Sequence, residues 1–329
     1  SRRQRQMCIR DRYSTRFVSP SFGFAIGWNY WYNWAITVAA ELVAAALVMR
    51  YWFPDTPAWI WSALFLVILF TLNALSARAY GEGEFWFSLI KVITVVIFLV
   101  LGVLMILGIL GGPSPGFHNW TAGEAPFVNG FTGIMAIFMV AGFSFQGTEL
   151  VGVAAGEAEN PGKTVPQAVR TIFWRILLFF VGAVLVITMV IPWDELPAPT
   201  DVAHAPFTLV FARLGLPGAD VVMQLIIFTA VLSVLNSGLY SASRMFAALA
   251  QQGFAPRVVA RRSRTGVPVF ALLASTIGGV VATIVNFAAP DSGVFDFIMN
   301  SAGLVALFVY VFIALTQMNL RRRMTPAER

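Results

Sequence analysis

The chain has 329 residues, of which 58% are hydrophobic and 12% are charged, whereas soluble domains carry about 25% charged residues. This composition excludes a soluble globular domain and indicates a polytopic membrane protein. The formal net charge of +6 does not require a nucleic-acid partner, because the basic residues lie in loops between apolar segments, as in membrane proteins generally. The single cysteine, Cys8, excludes a disulfide framework and a metal site built from thiolates.

The first fifteen residues differ from the rest of the chain. Five arginines and the only cysteine fall within the first twelve positions, and no hydrophobic periodicity is present. The stretch is not a signal peptide, because no apolar segment follows directly and no small-residue cleavage site is present. We interpret residues 1–15 as a non-native or disordered basic start, with a basic cytoplasmic loop as the alternative. Residues 16–329 are predicted to form a single transmembrane domain.

Apolar segments of about 20 residues, each long enough to cross a hydrocarbon core of about 30 Å, recur along the remaining chain. Together they predict an all-α protein with eight membrane spans. The predicted spans are residues 24–48, 59–75, 85–110, 131–155, 171–191, 220–249, 267–285 and 295–315.

The positions of the basic residues predict the orientation of these spans. Sixteen Lys and Arg residues follow Arg16. If the first span runs outward, fourteen of them fall at cytoplasmic ends, and only Arg50 and Arg213 fall outside. The opposite orientation would place two inside and fourteen outside, which contradicts the positive-inside rule.

The fourth span contains an unusual stretch, residues 142–149, with two glycines, three polar side chains and a carboxylate. Such a stretch predicts a discontinuous helix, which a membrane tolerates where the broken backbone lines a cavity and which transporters use to bind substrate. The carbonyls near Phe143 and Ser144 would form a negative dipole end suited to an ammonium group, next to the break at Gly147. The side chains of Ser144 and Gln146 would either bind substrate or satisfy the freed backbone.

Two carboxylates lie at membrane depth. Glu149 directly follows the break, and we interpret it as a substrate ligand; in the alternative, Thr148 caps a second half-helix and Glu149 only complements its dipole. Glu41 lies near the centre of the first span, where a charge is costly and therefore usually functional. In the alternative interpretation, Glu41 is a protonated structural residue that is hydrogen-bonded to a neighbouring helix. The excess of negative charge favours a cationic ligand.

Lys91 lies one or two turns inside the third span and allows two interpretations. Its long side chain could extend back to the cytoplasmic surface. If it points into the bundle instead, removal from water would let it exchange a proton and act as a coupling residue. A polar stripe in the sixth span, which includes Ser233 and Asn236, either forms interhelical hydrogen bonds or lines an aqueous path.

These motifs resemble those of the amino acid permeases of the amino acid–polyamine–organocation superfamily, in particular its lysine-transporting branch, over residues 22–323. The matching segments are residues 27–34, 87–92, 142–149 and 236–238, together with a cytoplasmic signature formed by Glu157, Asn160, Pro161, Lys163, Pro166 and Arg170.

The resemblance implies a twelve-span protein with a leucine-transporter-type core of two inverted repeats. This chain would supply the family's third to tenth spans, with an incomplete first repeat at residues 22–110 and a complete second repeat at residues 131–315. The glycine-rich span that binds the substrate carboxylate would be missing, so the chain is expected to be a fragment that does not transport alone. Lys91 falls at the family's proton-coupling lysine, Glu149 at a position that contacts basic substrates, and Glu41 on a scaffold span facing the cavity.

The expected function is proton-coupled import of a basic amino acid such as lysine, by alternating access across the cell (inner) membrane. The proton gradient would supply the coupling ion, and no cofactor, metal or nucleic acid is expected. The alternatives are a permease for a neutral or aromatic amino acid or a polyamine, and a sensor that binds amino acids without transporting them. An intramembrane enzyme is not expected, because the spans contain no histidine cluster and no nucleophile–base pair.

Overall fold

The computed structural model describes residues 15, 18–75, 77–123, 125, 127–149, 161–196, 205–215, 218–288 and 294–323. Most of the predicted basic start lies outside these residues. So do the second part of the predicted fourth span, after Glu149, and the first two positions of the cytoplasmic signature, Glu157 and Asn160. The side chains of Phe143 and Ser144 are likewise outside the description.

All regular elements in these ranges are helical, as predicted. The α-helices are α1 Pro20–Met49, α2 Ala58–Leu75, α3 Ala77–Ile106, α4 His118–Thr121, α5 Gly130–Ser144, α6 Pro161–Arg175, α7 Gly182–Val190, α8 Pro206–Arg213, α9 Ala219–Gln251, α10 Val269–Ser275, α11 Ile277–Ala288 and α12 Val294–Arg323. A π-helical turn, Ile176–Val181, joins α6 to α7, and Trp193–Glu195 and Arg257–Ala260 form short 3-10 turns.

Seven stretches among the described residues are long and apolar enough to cross a membrane, and they correspond to seven of the eight predicted spans. The remaining predicted span contains α5, which has 15 residues and ends at Ser144. A span requires about 20 helical residues. Helix α5 therefore ends within the predicted stretch 142–149, and the count of eight spans with one discontinuous helix stays a prediction.

Helix α1 is the centre of the bundle. It begins where the Ser19 hydroxyl accepts a hydrogen bond from the Phe22 N–H at 3.1 Å, with Pro20 at the first helical position, an arrangement that favours helix initiation. It is the most buried membrane-length helix and packs most extensively against α9, then against α12 and α11. This position places its polar side chains next to the break that follows α5.

Helix α11 approaches α1 closely through Gly278. A β-carbon built at this glycine would lie 2.4 Å from the Ala35 carbonyl oxygen, a backbone atom that cannot rotate away. We expect Gly278→Ala to lower the free energy of unfolding by about 2 kcal/mol, because an extra carbon in a close-packed interface forces the helices apart. Thermal unfolding in detergent measures the effect.

Gly182→Ala is the matched control for this prediction. The β-carbon at Gly182 would meet a methyl group of Leu99 at 3.2 Å, which a small side-chain rotation relieves. Alanine also has a higher helix propensity than glycine, by about 1 kcal/mol. Equal stability of the two variants would show that α1 and α11 do not approach each other as described.

Candidate functional site

The backbone break follows α5. Residues 145–149 form turns, and Gly147 has a φ of 96°, which side chains other than glycine rarely adopt. In a continuous helix the Gly147 N–H would bond to the Phe143 carbonyl. Here it donates instead to Glu149 Oε2 at 2.9 Å, and the Thr148 N–H donates to the Phe145 carbonyl at 3.5 Å. The carbonyls of Phe143 and Ser144 therefore lack the donors that a continuous helix would give them.

Three donors hold the carboxylate of Glu149. Its Oε1 accepts from the Tyr30 hydroxyl at 3.2 Å, and its Oε2 accepts from the Gly147 N–H and, at 3.4 Å, from the Tyr310 hydroxyl. All three donors are neutral, and no Lys, Arg or His in the described ranges forms an ion pair with this carboxylate. Its negative charge is therefore oriented without being neutralised.

The other residues of the break are anchored to neighbouring helices. Tyr310 on α12 also donates to the Phe145 carbonyl, at 2.9 Å, and the Thr148 hydroxyl donates to the same carbonyl at 3.1 Å. The Gln146 amide donates to the hydroxyl of Thr37 on α1 at 2.9 Å, while its buried Oε1 meets no donor among the described residues. One end of Gln146 is thus structural, and the other end is available as an acceptor.

A cavity of about 620 Å³ lies between α3, the break and the helix formed by α6, the π turn and α7. Its polar lining includes Lys91, Gln146, Thr148 and Arg175. The structure therefore brings the predicted coupling lysine and the predicted break to one cavity. Glu149 and Glu41 are not among the residues that line it.

Lys91 points into the bundle. Its ammonium donates to the hydroxyl of Ser233 on α9 at 2.7 Å and lies 4.0 Å from Glu84 Oε1 on its own helix. The side chain is 30% exposed and binds inside the protein instead of extending to the surface. Glu41 of α1 is half-buried and lies within range of the Lys91 charge. No hydrogen bond from a neighbouring helix to Glu41 is present among the described residues.

The polar stripe of α9 forms interhelical hydrogen bonds at two of its positions. Ser233 binds Lys91, and Asn236 Oδ1 accepts from the amide of Asn73 on α2 at 2.8 Å.

Three residues that contact the predicted site residues were not identified from the sequence. Glu84 could have been found, because it precedes Lys91 by two helical turns and so shares its face. The two tyrosines at Glu149 come from distant helices, and no local pattern indicates them.

Comparison with known proteins identifies the family. A family profile described as amino acid permease matches residues 11–329. The lysine-specific permease LysP of Escherichia coli is 50% identical over 316 residues, which cover 94% of this chain and 64% of LysP. LysP of Lactococcus lactis is 44% identical over 320 residues, covering 94% of this chain and 62% of that protein. The gamma-aminobutyric acid permease of Bacillus subtilis is 40% identical over 315 residues, covering 95% of this chain and 66% of that protein.

The chain thus spans less than two thirds of the length of these relatives. All three are permeases, in agreement with the prediction that the protein is not an enzyme. Together with the seven membrane-length helices, they identify a multi-pass protein of the cell membrane. Because the profile covers nearly all of its length, the chain belongs to the amino acid permease family.

Proposed function

We propose that a full-length permease carrying this segment imports a basic amino acid such as lysine, coupled to protons, by alternating access. The observation that carries the proposal is the carboxylate of Glu149, held by three neutral donors and free of any cationic partner in the described ranges. A fixed charge without a counter-ion at membrane depth is costly unless a ligand cation neutralises it.

In this proposal the break supplies two contacts. The released carbonyls of Phe143 and Ser144 accept the α-ammonium group of the substrate, since they lie at the negative end of α5. Glu149 accepts the side-chain ammonium group, and Glu41 is a second candidate ligand in the same bundle. Gln146 Oε1 and the Gly147 backbone complete the polar lining around the substrate, and Ser144 remains a predicted ligand whose side chain lies outside the described structure.

Lys91 carries the coupling proton in this proposal. Its ammonium lies on the same cavity as the break and 4.0 Å from Glu84 Oε1. A lysine removed from water can exchange its proton, whereas an arginine at the same position could not. The pH gradient is therefore the energy source, and no cofactor or metal takes part.

A second candidate is a permease for a different amino acid, because the B. subtilis relative is a gamma-aminobutyric acid permease. Two chimeras separate the candidates: residues 20–323 replace the aligned segment of E. coli LysP in one and of the B. subtilis permease in the other. Counterflow of radiolabelled lysine is then challenged with unlabelled lysine, arginine, phenylalanine, putrescine and gamma-aminobutyrate.

We expect lysine to compete about a hundredfold better than a neutral amino acid in both chimeras, since a half-buried carboxylate without a cationic partner discriminates by about 3 kcal/mol. If the substrate preference of each chimera instead matches that of the permease that supplies the rest of its chain, this segment does not select the substrate. Lysine binding without any counterflow would identify a sensor.

A further inference from the structure

A hydrogen-bonded chain connects Lys91 to Glu84 through Ser233. The Lys91 ammonium donates to the Ser233 hydroxyl at 2.7 Å, and that hydroxyl donates to Glu84 Oε1 at 2.5 Å. The direction is determined by chemistry, because an ammonium group only donates and a carboxylate only accepts. Ser233 is fully buried, so its hydroxyl, and not bulk water, joins the two charged groups.

From this geometry we infer that Glu84 is the residue to which Lys91 passes its proton, through the hydroxyl of Ser233. The inference rests on the proposed role of Lys91 in coupling. In the transfer, the Lys91 ammonium gives one proton to Ser233 Oγ, while Ser233 gives its own proton to Glu84. The products are a neutral amine at Lys91, an unchanged serine and a carboxylic acid at Glu84, so protons and charge balance.

Glu84 is suited to receive the proton. Its Oε1 accepts from Ser233 and, weakly, from Ser88 at 3.5 Å, whereas its Oε2 is buried and meets no donor in the described part of the chain. Because the Ser233 hydroxyl contacts Oε1, the relayed proton arrives at that oxygen. The direct distance from Lys91 Nζ to Glu84 Oε1 is 4.0 Å, too long for a hydrogen bond, so the serine is needed as the bridge.

The position of Glu84 gives the transfer a direction. It lies two helical turns before Lys91 on α3, at the first residue of the membrane-length portion of that helix. In the orientation that the basic residues predict, this is the cytoplasmic end. A proton that moves from Lys91 to Glu84 therefore moves inward, as an importer requires.

The other charged groups near Lys91 come from separate elements. Glu41 lies on α1 and Arg175 at the end of α6, and both interact electrostatically with Lys91. Neither is joined to Lys91 by a hydrogen bond among the described residues. Glu84 is thus the acid that a continuous chain of hydrogen bonds reaches.

The test uses the full-length chimera with LysP in vesicles loaded with a pH-sensitive dye, so that substrate uptake and proton entry are recorded together. Glu84→Gln preserves the acceptor for Ser233 but cannot take up a proton. We expect its uptake driven by a pH gradient to fall about a hundredfold, the usual contribution of a positioned proton-transfer group. Counterflow, which requires no net proton movement, should stay within about twofold of the unmodified chimera.

Substitutions at Ser233 test the bridge itself. Ser233→Ala removes the hydroxyl and should abolish lysine-driven proton entry. Ser233→Thr keeps a hydroxyl at this position, and proton entry should therefore persist. The matched control is Thr94→Val on α3, because the Thr94 hydroxyl is buried and donates only to the Ile90 carbonyl within its own helix. This variant should transport normally.

The outcomes separate the inference from the proposed function. If Lys91→Arg keeps gradient-driven uptake, coupling by Lys91 fails and the relay fails with it. If Lys91→Arg loses that uptake while Glu84→Gln keeps it, the relay alone is overturned. If Glu84→Gln also loses counterflow, the two Ser233 variants decide the question. Loss of lysine-driven proton entry in Ser233→Ala, together with its retention in Ser233→Thr, supports the relay. Equal proton entry in the two variants overturns it.

Discussion

Replacing Glu149 by glutamine in a full-length chimera is expected to raise the KM for lysine about a hundredfold, which corresponds to about 3 kcal/mol of lost binding. The amide has nearly the same shape as the carboxylate, and its remaining oxygen can still accept from the Gly147 N–H. The break should therefore persist while the negative charge disappears. Uptake of tritiated lysine over a range of concentrations measures the KM.

Glu195→Gln provides the matched control for the loss of charge. Glu195 is 57% exposed and pairs with Arg213 on the predicted outer side, so its replacement removes the same charge outside the bundle. Exposed ion pairs contribute little, about 0–1 kcal/mol, and the KM should remain near that of the unmodified chimera. An unchanged KM in Glu149→Gln would show that Glu149 only supports the break and does not contact the substrate.

Replacing Lys91 by arginine is expected to reduce gradient-driven lysine uptake about a hundredfold. Arginine retains the positive charge near Glu41 and Glu84 and can donate to Ser233, but it does not release its proton in proteins. Lys91→Arg therefore tests proton exchange separately from charge pairing. Uptake is measured with and without a pH gradient across the vesicle membrane.

Two controls complete this experiment: a counterflow measurement and the substitution of a surface arginine. Counterflow should persist in Lys91→Arg, because exchange of lysine for lysine moves no net proton. Arg262→Ala removes an exposed cation from the loop after α9 and should leave both activities unchanged. A Lys91→Arg variant that still concentrates lysine along a pH gradient would assign the coupling to another residue.

The sequence predicted the helical class, the limits of most spans and the position of the break, because each depends on local chemistry. Hydrophobic length defines a span, and two glycines within an apolar run predict a discontinuity such as the one after Ser144. Gly147 illustrates this, because its φ is positive, a conformation that glycine adopts more readily than other residues.

The partners of the predicted site residues could not be read from the sequence. Tyr30 and Tyr310 meet at Glu149 although 280 positions separate them along the chain, and only helix packing brings them together. The orientation of Lys91 was likewise open, since a lysine near a helix end can bind inside or extend outward. Ser233 resolves this ambiguity because it provides an acceptor inside the bundle.

The π turn at Ile176–Val181 affects where the fifth span of this chain can lose a residue. A wide turn of this kind is equivalent to one residue inserted into an α-helix. Deleting one residue within it would restore a regular helix and leave the rotation of α6 relative to α7 nearly unchanged. Deleting one residue in a regular α-helical turn of α7 would instead rotate the parts on either side of the deletion by about 100° relative to each other. The fifth span therefore tolerates a one-residue deletion better at the π turn than in its regular turns, even where any apolar side chain would suit the lipid.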